Sequence, residues 1–222
     1  GSMNDQYYTA DPTSASRPVA CTVLFHGHSL RFETDAGVFS KGELDKGTEL
    51  LLEALPPLHG AVLDLGCGTG AVLARLLPLA HGVIGVDGSA RMLEICRRRF
   101  APEDLSAERV SLRIGDLSHL PLRDHEADFA CINLVLHHLS QPAEALGEIR
   151  RILPPGGRLF VADFLRHTDE AMRNRYGDRW LGFAEDALAT VLQKAGFAVH
   201  SAVRKPVGRG LTLLLLQADA VD

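Results

Sequence analysis

The sequence predicts an α/β domain: a mostly parallel sheet with helices on both faces, bordered on one side by an antiparallel pair. Three observations predict it. From Ala61 onward, short apolar runs alternate with helical stretches, the pattern of strand–helix–strand units. Successive runs end in Asp or Asn, at Asp87, Asp116, Asn133 and Asp163. The last two runs, Phe197–Val203 and Leu211–Leu216, are joined only by Pro206-Val207-Gly208-Arg209-Gly210. That loop has no room for a crossover helix, so these strands pair antiparallel.

The elements follow in order. Residues 19–34 alternate around His26-Gly27-His28-Ser29 and read as a hairpin. Leu44, Leu51, Leu52 and Leu55 mark a helix over 43–55, stopped by Pro56-Pro57. Ala61–Leu65 is a short apolar strand running into glycines, and Ala71–Leu79 a helix. Gly82–Val86 is a strand ending at Asp87, and Ser89 caps a helix through Met92, Leu93, Ile95 and Cys96. Arg109–Ile114 and Ala127–Ile132 are strands ending at Gly115-Asp116 and Asn133. Pro142–Leu153 is a helix closed by Pro154-Pro155-Gly156-Gly157, and Arg158–Ala162 a strand ending at Asp163. Glu185–Ala195 is a helix ended by Gly196. The expected division is a tag remnant and loose segment over 1–18, a hairpin-and-helix cap over 19–56, and the α/β domain over 57–222.

Composition narrows the function. A chain of 222 residues suits one such domain. The net charge of −5 argues against a partner held mainly through phosphates, so nucleic acid is not the expected ligand. Cys21, Cys67, Cys96 and Cys131 show no C-x-x-C spacing; they read as reduced core residues, consistent with a cytoplasmic location. No run approaches the ~18 apolar residues of a membrane span, and no signal peptide is read.

Val62-Leu63-Asp64-Leu65-Gly66-Cys67-Gly68-Thr69-Gly70-Ala71 is the most informative stretch. A strand meets three glycines at alternate positions, then a helix begins with free N–H groups. Gly66, Gly68 and Ala71 also satisfy a loose dinucleotide fingerprint, with Asp87 where a ribose-binding acid belongs. Spacing alone leaves both ligands open. Asp64 tips the balance, because a carboxylate repels a pyrophosphate but attracts the ammonium and sulfonium of S-adenosylmethionine. An acid at Asp116 can accept a hydrogen bond from an adenine amine.

The segments LDLGCGTG (63–70), GVDGSARML (85–93), GDLSHLPL (115–122), FACINLVLHHL (129–139) and LPPGGRLFVADF (153–164) resemble class I S-adenosylmethionine-dependent methyltransferases over roughly residues 40–217. The resemblance implies a Rossmann-like doubly wound sheet of seven strands in the order 3-2-1-4-5-7-6, the seventh antiparallel. It implies that Asp64, Gly66, Cys67, Gly68 and Gly70 hold the methionine end, that Asp87 and Gly88 meet the ribose, and that Met92 lies near the adenine. Asp116 would take the adenine amine, Leu117 would add main-chain contacts, and Asn133 would line the methyl-donor side. His137 and His138 are candidates for a base or an acceptor contact, and Asp163 with His167 forms a second candidate pair. No metal is expected, and His26 and His28 are read as turn residues.

The acceptor side carries two resemblances. Residues 37–55 are similar to the lead-in of ribosomal RNA guanine-N2 methyltransferases, but Asn133-Leu134-Val135-Leu136 stands where those enzymes carry Asn-Pro-Pro-aromatic. Residues 134–183 resemble small-molecule methyltransferases of the ubiquinone-biosynthesis type and those fused to arsenical-repressor-like regulators. The expected activity is methyl transfer to O, N, S or C of a small molecule. RNA methylation and a non-catalytic donor-binding module are the alternatives. Residues 164–183, with Phe164, Tyr176, Trp180 and Phe183 among Arg166, Arg173, Arg175 and Arg179, are expected to wall the acceptor pocket with the hairpin.

Overall fold

In the computed structural model the described residues are 19–25, 28–34, 52, 53, 55, 58, 60–66, 70–170, 179–208 and 210–222. β1 (Val19–Phe25) and β2 (His28–Thr34) form a separate antiparallel hairpin with Phe25 opposite His28. His28 and Ser29 therefore belong to the strand rather than the turn. Of the helix expected over 43–55, Leu52 and Glu53 are helical, and most of the remainder lies outside the described residues.

The domain then runs β3 (Ala61–Leu65), α1 (Ala71–Leu76), β4 (Gly82–Asp87), α2 (Ala90–Arg98), α3 (Pro102–Ser106), β5 (Val110–Ile114) and β6 (Phe129–Asn133). It continues with α4 (Pro142–Ile152), β7 (Arg158–Phe164), α5 (Glu185–Lys194), β8 (Phe197–Val207) and β9 (Leu211–Ala220). The seven strands from β3 onward lie in the order β5-β4-β3-β6-β7-β9-β8. Six run in one direction, and β9, between β7 and β8, is antiparallel to both neighbours. Counted within the domain, this is the expected 3-2-1-4-5-7-6.

Alternation of side chains along each strand feeds two cores. Leu63 and Leu65 pack with Leu146 and Ile149 of α4 and Leu188 of α5. Val62 and Val83 pack on the other face with Leu73 and Leu76 of α1 and Cys96 of α2. Ser89 caps α2 as expected, its Oγ accepting from Met92 N–H at 3.3 Å.

Several boundaries differ from the sequence reading for physical reasons. α3 was not anticipated; its signal is Pro102 at the first turn with Glu103 and Asp104 favoured by the helix dipole. β8 continues through Pro206, opposite Thr212, because an edge strand tolerates a missing donor. β9 continues past the apolar run to Ala220, where Asp219 Oδ1 accepts from Arg158 Nε at 2.9 Å. Among the described residues no helix is long and apolar enough to cross a membrane.

Leu214 of β9 is fully buried in the α4/α5 core. Leu214→Ala should lower unfolding stability by about 2–5 kcal/mol in urea titration; a loss under about 1 kcal/mol would mean that the core relaxes around it.

Candidate functional site

Parallel strands end on one edge, and the connections leaving that edge carry the candidate residues. Gly66 closes β3 with φ +66° and donates its N–H to Val86 O at 2.8 Å. Gly70 precedes α1 with φ +85°, and a Cβ there would collide with Cys96 Sγ. Only glycine fits that backbone. Cys67 and Gly68 lie outside the described residues.

Asp64 shares the strand face of Val62 and is 2% exposed. Its Oδ2 is buried with no hydrogen-bond partner among the described residues. Burial, and then the neighbouring Asp87 carboxylate, push its pKa up to about 8. Asp87 ends β4, buried, and its Oδ1 accepts from Ser89 N–H at 3.1 Å across Gly88. Met92, one helical turn on, is buried. At the end of β5, Asp116 is exposed, and its Oδ1 accepts from Ser118 N–H at 2.9 Å and Ser118 Oγ–H at 2.8 Å. The adjacent Leu117 turns into the core. A buried, incompletely paired carboxyl beside a second acid attracts a cation, which suits the ammonium of the expected donor.

The second group lies across β6 and β7. Asn133 ends β6 opposite Ala162. Leu134 follows with φ +58° and donates to Ala162 O at 2.8 Å. A 3-10 turn over Leu136–His138 brings His137 onto Asp163. His137 Nδ1 lies 2.6 Å from Asp163 Oδ1, and both side chains are fully buried. Asp163 also accepts from His137 N–H at 3.2 Å and Phe164 N–H at 2.7 Å. His138 is fully buried, its ring centroid 4.0 Å from that of His137.

The expected pairing of Asp163 with His167 is not formed. β6 and β7 are neighbours, so the turn after Asn133 reaches Asp163, whereas His167 lies beyond the bridge between Leu165 and Phe183. His167 Nδ1 instead accepts from Asp169 N–H at 3.1 Å, and burial lowers its pKa.

A contact absent from the sequence reading joins the 3-10 turn to the connection after β7. Arg179 and Trp180 both donate their main-chain N–H to His137 O, at 3.0 and 3.1 Å. Trp180 Nε1–H donates to Leu139 O at 2.7 Å. Main-chain bonds leave no sequence signal; only the aromatics pointed here. Arg173, Arg175 and Tyr176 lie outside the described residues, as do His26 and the side chain of His28. No group of three or more metal-ligating side chains occurs among the described residues.

A family model described as "Methyltransferase domain" matches residues 63–161, from β3 into β7. The chain belongs to the class I S-adenosylmethionine-dependent methyltransferases. Among its relatives, an uncharacterised 37.1 kDa protein in transposon TN4556 of Streptomyces fradiae is 37% identical over 196 residues, 78% of this chain and 52% of that protein. The demethylmenaquinone methyltransferase of Lactiplantibacillus plantarum is 44% identical over 101 residues, 44% of this chain and 42% of that enzyme. The chain thus spans about half the length of these relatives. The structure of an S-adenosylmethionine-dependent methyltransferase from Mesorhizobium loti shares the fold, with TM-score 0.67 and 21% identity over 79% of this chain and 99% of that one.

The raised pKa of Asp64 has a measurable consequence for this methyltransferase. With a pKa of about 8, Asp64 is mostly protonated at pH 7, and a cation placed against it would favour ionisation. Donor binding at pH 7 should therefore release a proton, read by calorimetry in buffers of different ionisation enthalpy. Asp64→Asn should abolish that release. Because the folded pKa of Asp64, about 8, lies above that of a free aspartate, 3.8, the protein without donor loses stability as pH rises from about 4 to 8. The Asn variant should lose this component.

Proposed function

We propose that this chain transfers a methyl group from S-adenosylmethionine to a small-molecule acceptor. The observation that carries the reading is the division of the carboxyl edge into two groups: buried Asp64 at β3, its Oδ2 without a hydrogen-bond partner among the described residues, beside Asp87 at the end of β4, and a hydrogen-bonded His–Asp pair at β6 and β7. The donor supplies an electrophilic methyl group on a sulfonium. Asp64 and the main chain of the Gly66–Gly70 loop bind its ammonium and carboxylate. Asp87 accepts from the ribose hydroxyls, Met92 lies beneath the adenine, and Asp116 with the Leu117 main chain reads the adenine edge.

His137 and Asp163 serve the acceptor. The carboxylate accepts from Nδ1–H, which sets the tautomer and makes Nε2 the basic nitrogen of the ring. Asp163 in turn is held by two main-chain N–H groups. His137 is then oriented to take a proton from an O–H or N–H nucleophile. Phe164 packs beside it, 5.3 Å between ring centroids, and the exposed Trp180 offers apolar surface for a small, partly apolar molecule. The absence of Asn-Pro-Pro-aromatic after β6 and the net charge of −5 weigh against a nucleic-acid base as acceptor. The demethylmenaquinone methyltransferases among the relatives support a small one.

Two experiments test this. Calorimetry should show S-adenosylhomocysteine binding, and Asp87→Ala should weaken it at least tenfold, since hydrogen bonds to a charged group contribute about 1.5–3 kcal/mol each; unchanged affinity would remove the ribose assignment. Incubation with methyl-labelled donor and a cell extract should put label in the low-molecular-weight fraction rather than in precipitable RNA. Asp163→Asn should cut that transfer by about 10²-fold or more while leaving S-adenosylhomocysteine affinity within twofold. Equal loss of both would make the pair structural.

A further inference from the structure

The connection between β5 and β6 holds Asp116 and Leu117 yet contains neither a helix nor a strand of the main sheet; its one ladder contact is the bridge between Asp116 and His119. Two side chains of α4 substitute for the missing ladder. Arg151 Nη1 donates to Leu122 O at 2.8 Å and to Asp124 Oδ1 at 2.9 Å, and its Nη2 donates to Leu120 O at 3.1 Å. Glu148 Oε1 accepts from Leu120 N–H at 2.8 Å. The two are bound to each other, Arg151 Nε to Glu148 Oε2 at 2.8 Å. Leu120 thus has both main-chain groups tied to one ion pair, and Leu120 and Leu122 are buried beneath it.

We propose that Glu148 and Arg151 are positioning residues for the donor: they clamp this connection so that Asp116 and the Leu117 main chain are held where the adenine edge is read. The inference rests on the donor reading above. It differs from a general stabilising role because most of the grip falls on main-chain atoms within six residues of Asp116, at one wall of one ligand. Arg151 carries a planar fork of five donors, and a lysine cannot reproduce its grip on several oxygens at once. The hydrogen bond from Arg151 pulls the pKa of Glu148 down, so the clamp stays charged through the range where Asp64 titrates.

The test uses the full chain and S-adenosylhomocysteine. Wild-type binding examines the donor reading itself; if the wild-type chain does not bind, that reading fails and the clamp's role fails with it. Given binding, Arg151→Met and Glu148→Gln should each weaken affinity at least fivefold. Arg151→Lys should keep Tm close to wild type and still lose affinity. Asp116→Asn should cost much less in the Arg151→Met background than in the wild type, because the wall that presents it is already displaced. Wild-type-like affinity in folded Arg151→Lys, or losses that simply add in the double variant, would overturn the proposal and leave the pair a structural one. If Arg151→Met does not fold, the same cycle run with Glu148→Gln decides it.

Discussion

Five neighbouring strands running in one direction leave their carboxyl ends along a single edge, and the charge in this protein's interior is gathered there. Among the described residues the buried polar side chains are Asp64, Asp87, Ser89, His137, His138 and Asp163. Each lies in the last turn of a strand at that edge or in the connection leaving it. Elsewhere the central strands β3, β4 and β6 are buried on both faces, and a charge there would be desolvated without return. Topology therefore decides where chemistry is possible, and sequence decides which groups stand there.

The groups at that edge are of two physical kinds. Asp163 is over-provided, taking three hydrogen bonds from two neighbouring residues, and is rigid as a result. Asp64 is under-provided, with Oδ2 lacking a partner among the described residues and its ionisation opposed by burial. The first kind suits orientation of another group, since nothing is left to gain by moving. The second is left short of compensation, and burial beside Asp87 favours its neutral form.

Most of the fold was legible because periodicity reports burial, and parallel strands covered on both faces read as unbroken apolar runs. The readings slipped where burial is partial. β9 outlasts its leucines because Asp219 is matched by Arg158, and β8 passes through Pro206 because its outer side needs no donor. At the candidate site, the positions of Asp64 in β3 and Asp87 at the end of β4 were readable from the strand–loop–helix–strand spacing. The partner of Asp163 was not: choosing His137 over His167 needs the register of β6 against β7, which local sequence does not encode. The grip of Arg151 on its neighbouring connection was equally hidden, since its acceptors are mostly main-chain oxygens that every residue possesses.

The chain has one tryptophan, and its indole N–H is bound to Leu139 O two residues from His137. All tryptophan emission from this protein therefore originates at the junction between the 3-10 turn and the connection after β7. Trp180 is 43% exposed, so its emission responds to whatever displaces solvent from that junction. The molecule carries a built-in optical reporter at that junction, with no second indole to dilute the signal.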